Sequence, residues 1–268
     1  MGNPVRSITI IGAGIGGLAA AAALRRRGID VDVYEQADKF TRVGAGIQQS
    51  PNAVRVLRGL GIEDRLRQVA FHPASSLNRD AASGEVTNDH PLGRELEQRY
   101  GAPYLTLHRG DLHEALASIV PGDCVHLGKK LVAIKARGAR TELSFADGSE
   151  VEAEAVIGAD GVHSLIRDTV TGPEQPRFVG RLAYRTTFRA AARGRGRILA
   201  HQVVGSGPAH RHLLRHRGTR RGLFHHQPAR AGGLDHQGIL VRERRPRGDA
   251  RGVCGFPSRR PGGVERGA

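Results

Sequence analysis

The stretch Ser7-Ile8-Thr9-Ile10-Ile11-Gly12-Ala13-Gly14-Ile15-Gly16-Gly17 decides how this chain is read. Ser7–Ile11 reads as a short buried strand, and it ends in a glycine-rich turn. Residues 18–27 follow with an alanine-rich composition of strong helix propensity. Gly28 stops that helix, and residues 31–34 make a second strand ending at Glu35. Strand, glycine turn, helix, strand and acid in this order form a dinucleotide-binding unit. Gly12 permits the tight turn, Gly14 lets the backbone approach a pyrophosphate, and Gly17 allows helix and strand to pack closely. The helix N-terminus then faces the anion. Glu35, 23 residues after Gly12, sits where a carboxylate accepts hydrogen bonds from both hydroxyls of an adenosine ribose. The motif alone leaves NAD and FAD open.

Three further segments bear on that choice. Residues 42–48, Arg-Val-Gly-Ala-Gly-Ile-Gln, precede a helix predicted over 53–60, which Ser50 and Pro51 start and Gly61 ends. They read either as a plain loop or as a glycine loop, with Gly46 in it, against which a flat ring system lies. Residues 105–112, Leu-Thr-Leu-His-Arg-Gly-Asp-Leu, put Arg109 at a strand-to-helix junction before a helix predicted over 112–119. A guanidinium there either reaches a phosphate in bidentate fashion or is a solvated surface group. His108 and His113 have no metal-ligand partner at useful spacing and read as structural or exposed. Residues 141–145 and 151–155 form a β-hairpin turned by Ala146-Asp147-Gly148-Ser149. After it, Val156-Ile157-Gly158-Ala159-Asp160-Gly161 ends a strand in a turn or a ligand contact, and Ser164 is placed to cap a short helix containing Arg167.

The 268 residues carry a formal net charge of +15, a value that by itself points to nucleic acid or an anionic membrane. Its distribution changes that reading. Residues 1–180 hold 21 Lys+Arg against 22 Asp+Glu, whereas residues 181–268 hold 20 against 4, and all 20 are arginine. No apolar run reaches the ~18 residues needed to span a bilayer, and the N-terminus has no signal-peptide pattern. Two cysteines, Cys124 and Cys254, make no disulfide framework, so a cytoplasmic location is expected.

Taken together, GAGIGG with Glu35, VGAGIQQSPNA, LHRGDLHEAL and GADGVHSLIR resemble, in this order, the FAD-dependent aromatic-ring hydroxylases. These are single-component flavoprotein monooxygenases, and the text is most similar to their salicylate and 3-hydroxybenzoate hydroxylase branch. The resemblance covers about residues 5–188. It implies an α/β, Rossmann-like FAD-binding domain with a β-hairpin insertion over 1–180 and the start of a substrate-domain sheet over 181–188. It further implies that Gly12, Gly14 and Gly17 hold the FAD pyrophosphate, Glu35 the adenosine ribose, and Gly46 the neighbourhood of the flavin ring. Arg109 would contact the phosphate–ribityl region, Leu131 the adenine, and Asp160 both FAD and the transient nicotinamide donor, which Arg167 assists. The implied reaction uses NADH or NADPH and molecular oxygen to hydroxylate a small phenolic or aromatic acid.

Family members are longer than 268 residues and carry substrate-binding and base residues on a later sheet, then a third fingerprint, Gly-Asp-Ala-Ala-His-Pro, on the FAD ribityl chain. Neither occurs here, so the catalytic residues are unknown, FAD is expected to bind weakly or not at all, and little or no hydroxylation is expected. Residues 189–268 have no steady period of 2 or 3.6 and are rich in Arg, Gly, Pro and His, which predicts an irregular or disordered tail. Residues 203–210 admit codons that, read one base later, spell Trp-Trp-Gly-Pro-Asp-Arg-His, and the same offset yields strand-like text at 211–217, 219–226 and 233–243. A frameshift between about residues 188 and 200 is therefore expected. Two alternatives stay open at this point. One is another FAD-dependent oxidoreductase. The other is a dinucleotide-fold module whose basic tail binds nucleic acid, although its arginines do not interleave with a stacking platform. The tail histidines, such as His210 with His212 and His225 with His226, lack a strand or helix context that would aim them at one metal ion.

Overall fold

The segment before the glycine turn forms β1 (Ser7–Ile11) in a computed structural model that describes residues 6–42, 46–80, 83, 85–174, 177, 184–189, 200–204, 209–215 and 221–228. In chain order come α1 (Ile15–Arg25), β2 (Asp30–Tyr34), β3 (Gly46–Gln49), α2 (Pro51–Gly59), α3 (Glu63–Val69), β4 (Ser75–Asp80) and β5 (Val86–Pro91). Next are α4 (Arg94–Tyr100), β6 (Leu105–His108), α5 (Arg109–Ala117), β7 (Val125–His126), β8 (Leu131–Arg137), β9 (Arg140–Phe145) and β10 (Glu150–Ala153). The last are β11 (Val156–Gly158), α6 (Leu165–Thr171), β12 (Tyr184–Arg189), β13 (Ala200–Val204), β14 (Ala209–Arg215) and β15 (Arg221–Pro228).

The central sheet is parallel, in the order β11-β1-β2-β7. Parallel strands are covered on both faces, and Thr9, Ile10 and Ile11, which point to alternate faces of β1, are all buried. Ile10 and Val33 in this sheet pack with Leu18, Ala21 and Ala22 of α1 and with Leu112, Ala115 and Leu116 of α5 in the main core. The alanines let the two helices approach closely, while each fully buried leucine contributes roughly 1.5–3 kcal/mol. A second, smaller core joins Ile11 and Tyr34, at the C-terminal ends of β1 and β2, to Leu143, Phe145 and Ala153 of an antiparallel sheet ordered β10-β9-β8. This is the expected hairpin insertion, with one more strand, β8, on its outer side.

Three helices begin earlier than propensity predicts, α2 by two residues at Pro51 and two others by three. Of these two, α1 starts at Ile15 because Gly14 takes the extended N-cap conformation directly after the turn. The other, α5, starts at Arg109 rather than 112 because the His108 side chain accepts a hydrogen bond from the Gly110 amide, a capping role. That cap moves Arg109 from a loop into the first helical turn.

Strands β3 and β6 form a separate antiparallel ribbon, and β12-β15-β14-β13-β4-β5 form a six-stranded sheet. The first of these, β12, lies where the substrate-domain sheet was expected to start. The irregular tail expected from residue 189 onward needs correction within 200–228. There, β13 runs parallel to β4, β14 pairs with β13, and β15 pairs with β14 and β12. Ladder hydrogen bonds are made by the backbone, so a free strand edge can be extended by a segment whose side chains show no alternation. Residues 229–268 lie outside the described residues, as does the rest of that call. Among the described residues no helix is long and apolar enough to cross a membrane.

Candidate functional site

The C-terminal ends of β1, β2 and β11 converge on the glycine turn. Gly12 has φ +103°, and a Cβ there would stand 2.3 Å from the Ala159 carbonyl oxygen, so both conformation and space require glycine. A Cβ on Gly17 would stand 1.9 Å from the Gly12 oxygen, which is the close helix–turn contact expected of that position. Gly14 differs: a Cβ there would meet nothing within 4 Å. Its missing side chain leaves open space beside the start of α1. No side chain caps that helix and no acid occupies its first turn, so its positive end is unneutralised locally.

Glu35 closes the turn from the other side. Its Oε2 accepts from the Ala13 amide at 2.8 Å and its Oε1 from the Ala37 amide at 2.9 Å. A carboxylate has about four acceptor positions, so both oxygens keep capacity for a further donor. The Glu35 backbone bonds His126 and Lys129, each at 2.8–2.9 Å, which places Leu131, two residues on, beside this corner. Leu131 opens β8 opposite Phe145 and is partly buried in the second core. Tyr34 stacks on both His126 and Phe145, with centroids 4.6 and 4.9 Å away, and burial pushes its phenol above the ordinary value, with help from the Asp32 charge.

Asp160 reaches the same turn through Ala159, whose amide donates to the Ile11 carbonyl. Its carboxylate accepts from the Ser164 hydroxyl at 2.6 Å and from the Ile166 amide at 3.3 Å, while the Ser164 oxygen caps α6 by accepting from the Arg167 amide. Asp160 thus also organises the start of a helix. Arg167 bonds the Val162 carbonyl and Asp168, and its buried Nε has no partner. Gly46 lies opposite His108 in the β3–β6 ribbon, so the glycine loop and the Arg109 junction are adjacent. The Arg109 side chain is exposed. Residues 43–45 of that loop lie outside the described residues.

Sequence reasoning set His113 aside, yet its Nε2 lies 2.8 Å from the Ala13 carbonyl oxygen, joining α5 to the glycine turn. The signal available was its spacing, four residues after Arg109, which puts both on one helix face. The Arg42–Asp111 ion pair at 2.5 Å was likewise not anticipated.

A family model described as FAD binding domain matches residues 6–182. The chain is 45 % identical over 181 residues to 6-hydroxynicotinate 3-monooxygenase of Pseudomonas fluorescens, covering 68 % of this chain and 47 % of that protein. It is 44 % identical over 178 residues to 3-amino-4-hydroxybenzoate 2-monooxygenase of Streptomyces cremeus, covering 66 % and 45 %. Among solved structures, Klebsiella pneumoniae HpxO complexed with FAD and uric acid superposes with a TM-score of 0.76 at 29 % identity, over 85 % of this chain and 57 % of that one. The chain spans about half the length of the curated relatives it matches. The matched residues include the glycine turn, Glu35, the β3–β6 ribbon and the Asp160 corner, and the chain belongs to the FAD binding domain family of the FAD-dependent aromatic-ring hydroxylases.

Proposed function

We propose that this chain is the FAD-binding part of a monooxygenase that hydroxylates a small hydroxylated aromatic or pyridine acid in the cytoplasm, drawing on NADH or NADPH and molecular oxygen. The observation that carries the reading is the glycine turn: a glycine with open space at Gly14, an uncapped helix end behind it, and Glu35 hydrogen-bonded to the same turn. This arrangement fits a dinucleotide pyrophosphate and ribose.

On this reading Gly12, Gly14 and Gly17 admit the pyrophosphate, Glu35 accepts the ribose hydroxyls, and Leu131 packs against the adenine. Gly46 and Arg109 serve the ribityl and ring side, and Asp160 serves both FAD and the nicotinamide donor, with Arg167 in the helix that Ser164 caps. FAD held there would supply the redox and oxygen-activating chemistry, with a nicotinamide as electron donor. The chain's own residues bind and orient; those that would hold the substrate and its proton are not assigned. Residues 1–180 form the cofactor domain, and from about residue 189 the text is proposed to be out of frame.

The test is direct. Flavin fluorescence during titration of the cofactor-free chain should report weak FAD binding or none, and NADH oxidation with candidate hydroxylated acids should give little or no hydroxylated product. Tighter binding of NAD than of FAD overturns the cofactor reading. Robust substrate-dependent product formation overturns the reading of this chain as an incomplete enzyme.

A further inference from the structure

Two adjacent peptide groups at the tip of the glycine turn, those on either side of the Ala13 Cα, are each held by a side chain. The Ala13 amide donates to Glu35 Oε2, and the Ala13 carbonyl oxygen lies 2.8 Å from His113 Nε2. A carbonyl oxygen only accepts, so Nε2 carries the hydrogen in this contact. The His113 ring is itself steadied by Phe40, which meets it edge-on at a centroid distance of 4.8 Å. The peptide plane that contains the Ala13 carbonyl also contains the Gly14 N–H, and in a trans peptide the two point in opposite directions. Fixing the carbonyl toward α5 therefore fixes the Gly14 N–H away from it. The adjacent plane, carrying the Ala13 N–H, is fixed by Glu35.

We propose that His113 is a positioning residue for the cofactor. It sets the direction of the Gly14 amide at the helix end and ties the turn to the helix whose first residue is Arg109. The inference rests on the FAD reading above but concerns a residue which that reading does not use. A turn whose amides are oriented before the anion arrives pays less ordering cost on binding, so removing the tether lowers affinity rather than overall stability.

The test compares the full chain with His113→Gln, whose side-chain amide nitrogen can reach the Nε2 position, and His113→Leu, which keeps bulk but donates nothing. FAD affinity is read by flavin fluorescence, and hydrogen exchange of the cofactor-free chain is read over residues 12–17. His113→Leu should bind FAD roughly three- to tenfold more weakly, the value of one hydrogen bond. It should also exchange faster at the turn, while His113→Gln matches the parent in both and melting temperatures stay alike. Unchanged affinity and exchange in His113→Leu overturn the inference, as does an equal loss in the Gln and Leu variants, which would assign the effect to ring packing. If His113→Leu fails to fold, His113→Asn, a donor too short to reach, replaces it with the same expected losses. A parent chain that binds NAD in preference to FAD defeats the FAD reading alone, and where FAD uptake is too weak to measure, exchange at the turn still decides whether His113 holds it.

Discussion

Gly12 and Gly14 stand two residues apart in one turn but are glycine for different physical reasons. At Gly12 the backbone is left-handed and the Ala159 carbonyl fills the place of a Cβ, so the constraint belongs to the fold. At Gly14 the backbone is extended, with φ −71° and ψ −176°, and the space is open, so the constraint belongs to what docks there. Gly12→Ala should therefore destabilise the chain by about 2–4 kcal/mol in urea unfolding, from strain and the backbone clash. Gly14→Ala should leave stability within about 1 kcal/mol of the parent. It should still weaken FAD binding by about 1–3 kcal/mol, the cost of an extra methyl in a close contact. Calorimetric melting and flavin titration of the two variants separate these outcomes.

At the scale of elements, a buried carboxylate joins α3 to α2, and an arginine on it extends the link to α4. Glu63 accepts from Arg58 of α2 and from Arg67 one turn along α3, and Arg67 also pairs with Glu97 of α4 at 2.6 Å. The Arg58 hydrogen bond, aided by Arg67, holds the Glu63 carboxyl below its ordinary value in spite of a burial penalty. A carboxyl depressed in the folded state stabilises that state above its unfolded value, and the contribution disappears as pH falls through the folded value. Glu63→Gln should thus cost about 1–3 kcal/mol near neutral pH, since the buried carboxylate's two guanidinium contacts lose its charge. The gap from the parent should narrow below about pH 4.5, the ordinary value of that carboxyl. Urea unfolding at pH 7 and at successively lower pH measures the closing gap. An undiminished gap in acid would assign the loss to packing.

At the scale of the whole molecule, the charge division and the family match end at nearly the same place. The near-balanced residues 1–180 coincide with the match over 6–182, and the arginine-rich remainder falls outside it. An out-of-frame translation of a GC-rich gene accounts for that change of composition without any selected role for the charge. Sequencing the encoding locus should reveal a one-base offset between the codons of about residues 188 and 200 that restores hydroxylase-like text. An uninterrupted reading frame with no restoring offset would remove the proposal. The strands described at 200–228 do not conflict with it, because backbone pairing onto β4 and β12 is indifferent to which side chains the frame supplies.

The glycine turn, its flanking strand and helix, and Glu35 were legible in the sequence because they are local. A left-handed φ, a missing Cβ and a helix start each leave a mark within a few residues of where they act. The four ordered segments also marked the family. What joins them was not legible. The contact of His113 with Ala13 spans 100 residues, that of Arg67 with Glu97 spans 30, and neither leaves a periodic trace in the chain. The sequence alone determined the elements and the chemistry of the turn. Only the tertiary structure decided which side chains orient its peptides, because packing α5 against α1 brings His113 within reach of the Ala13 carbonyl.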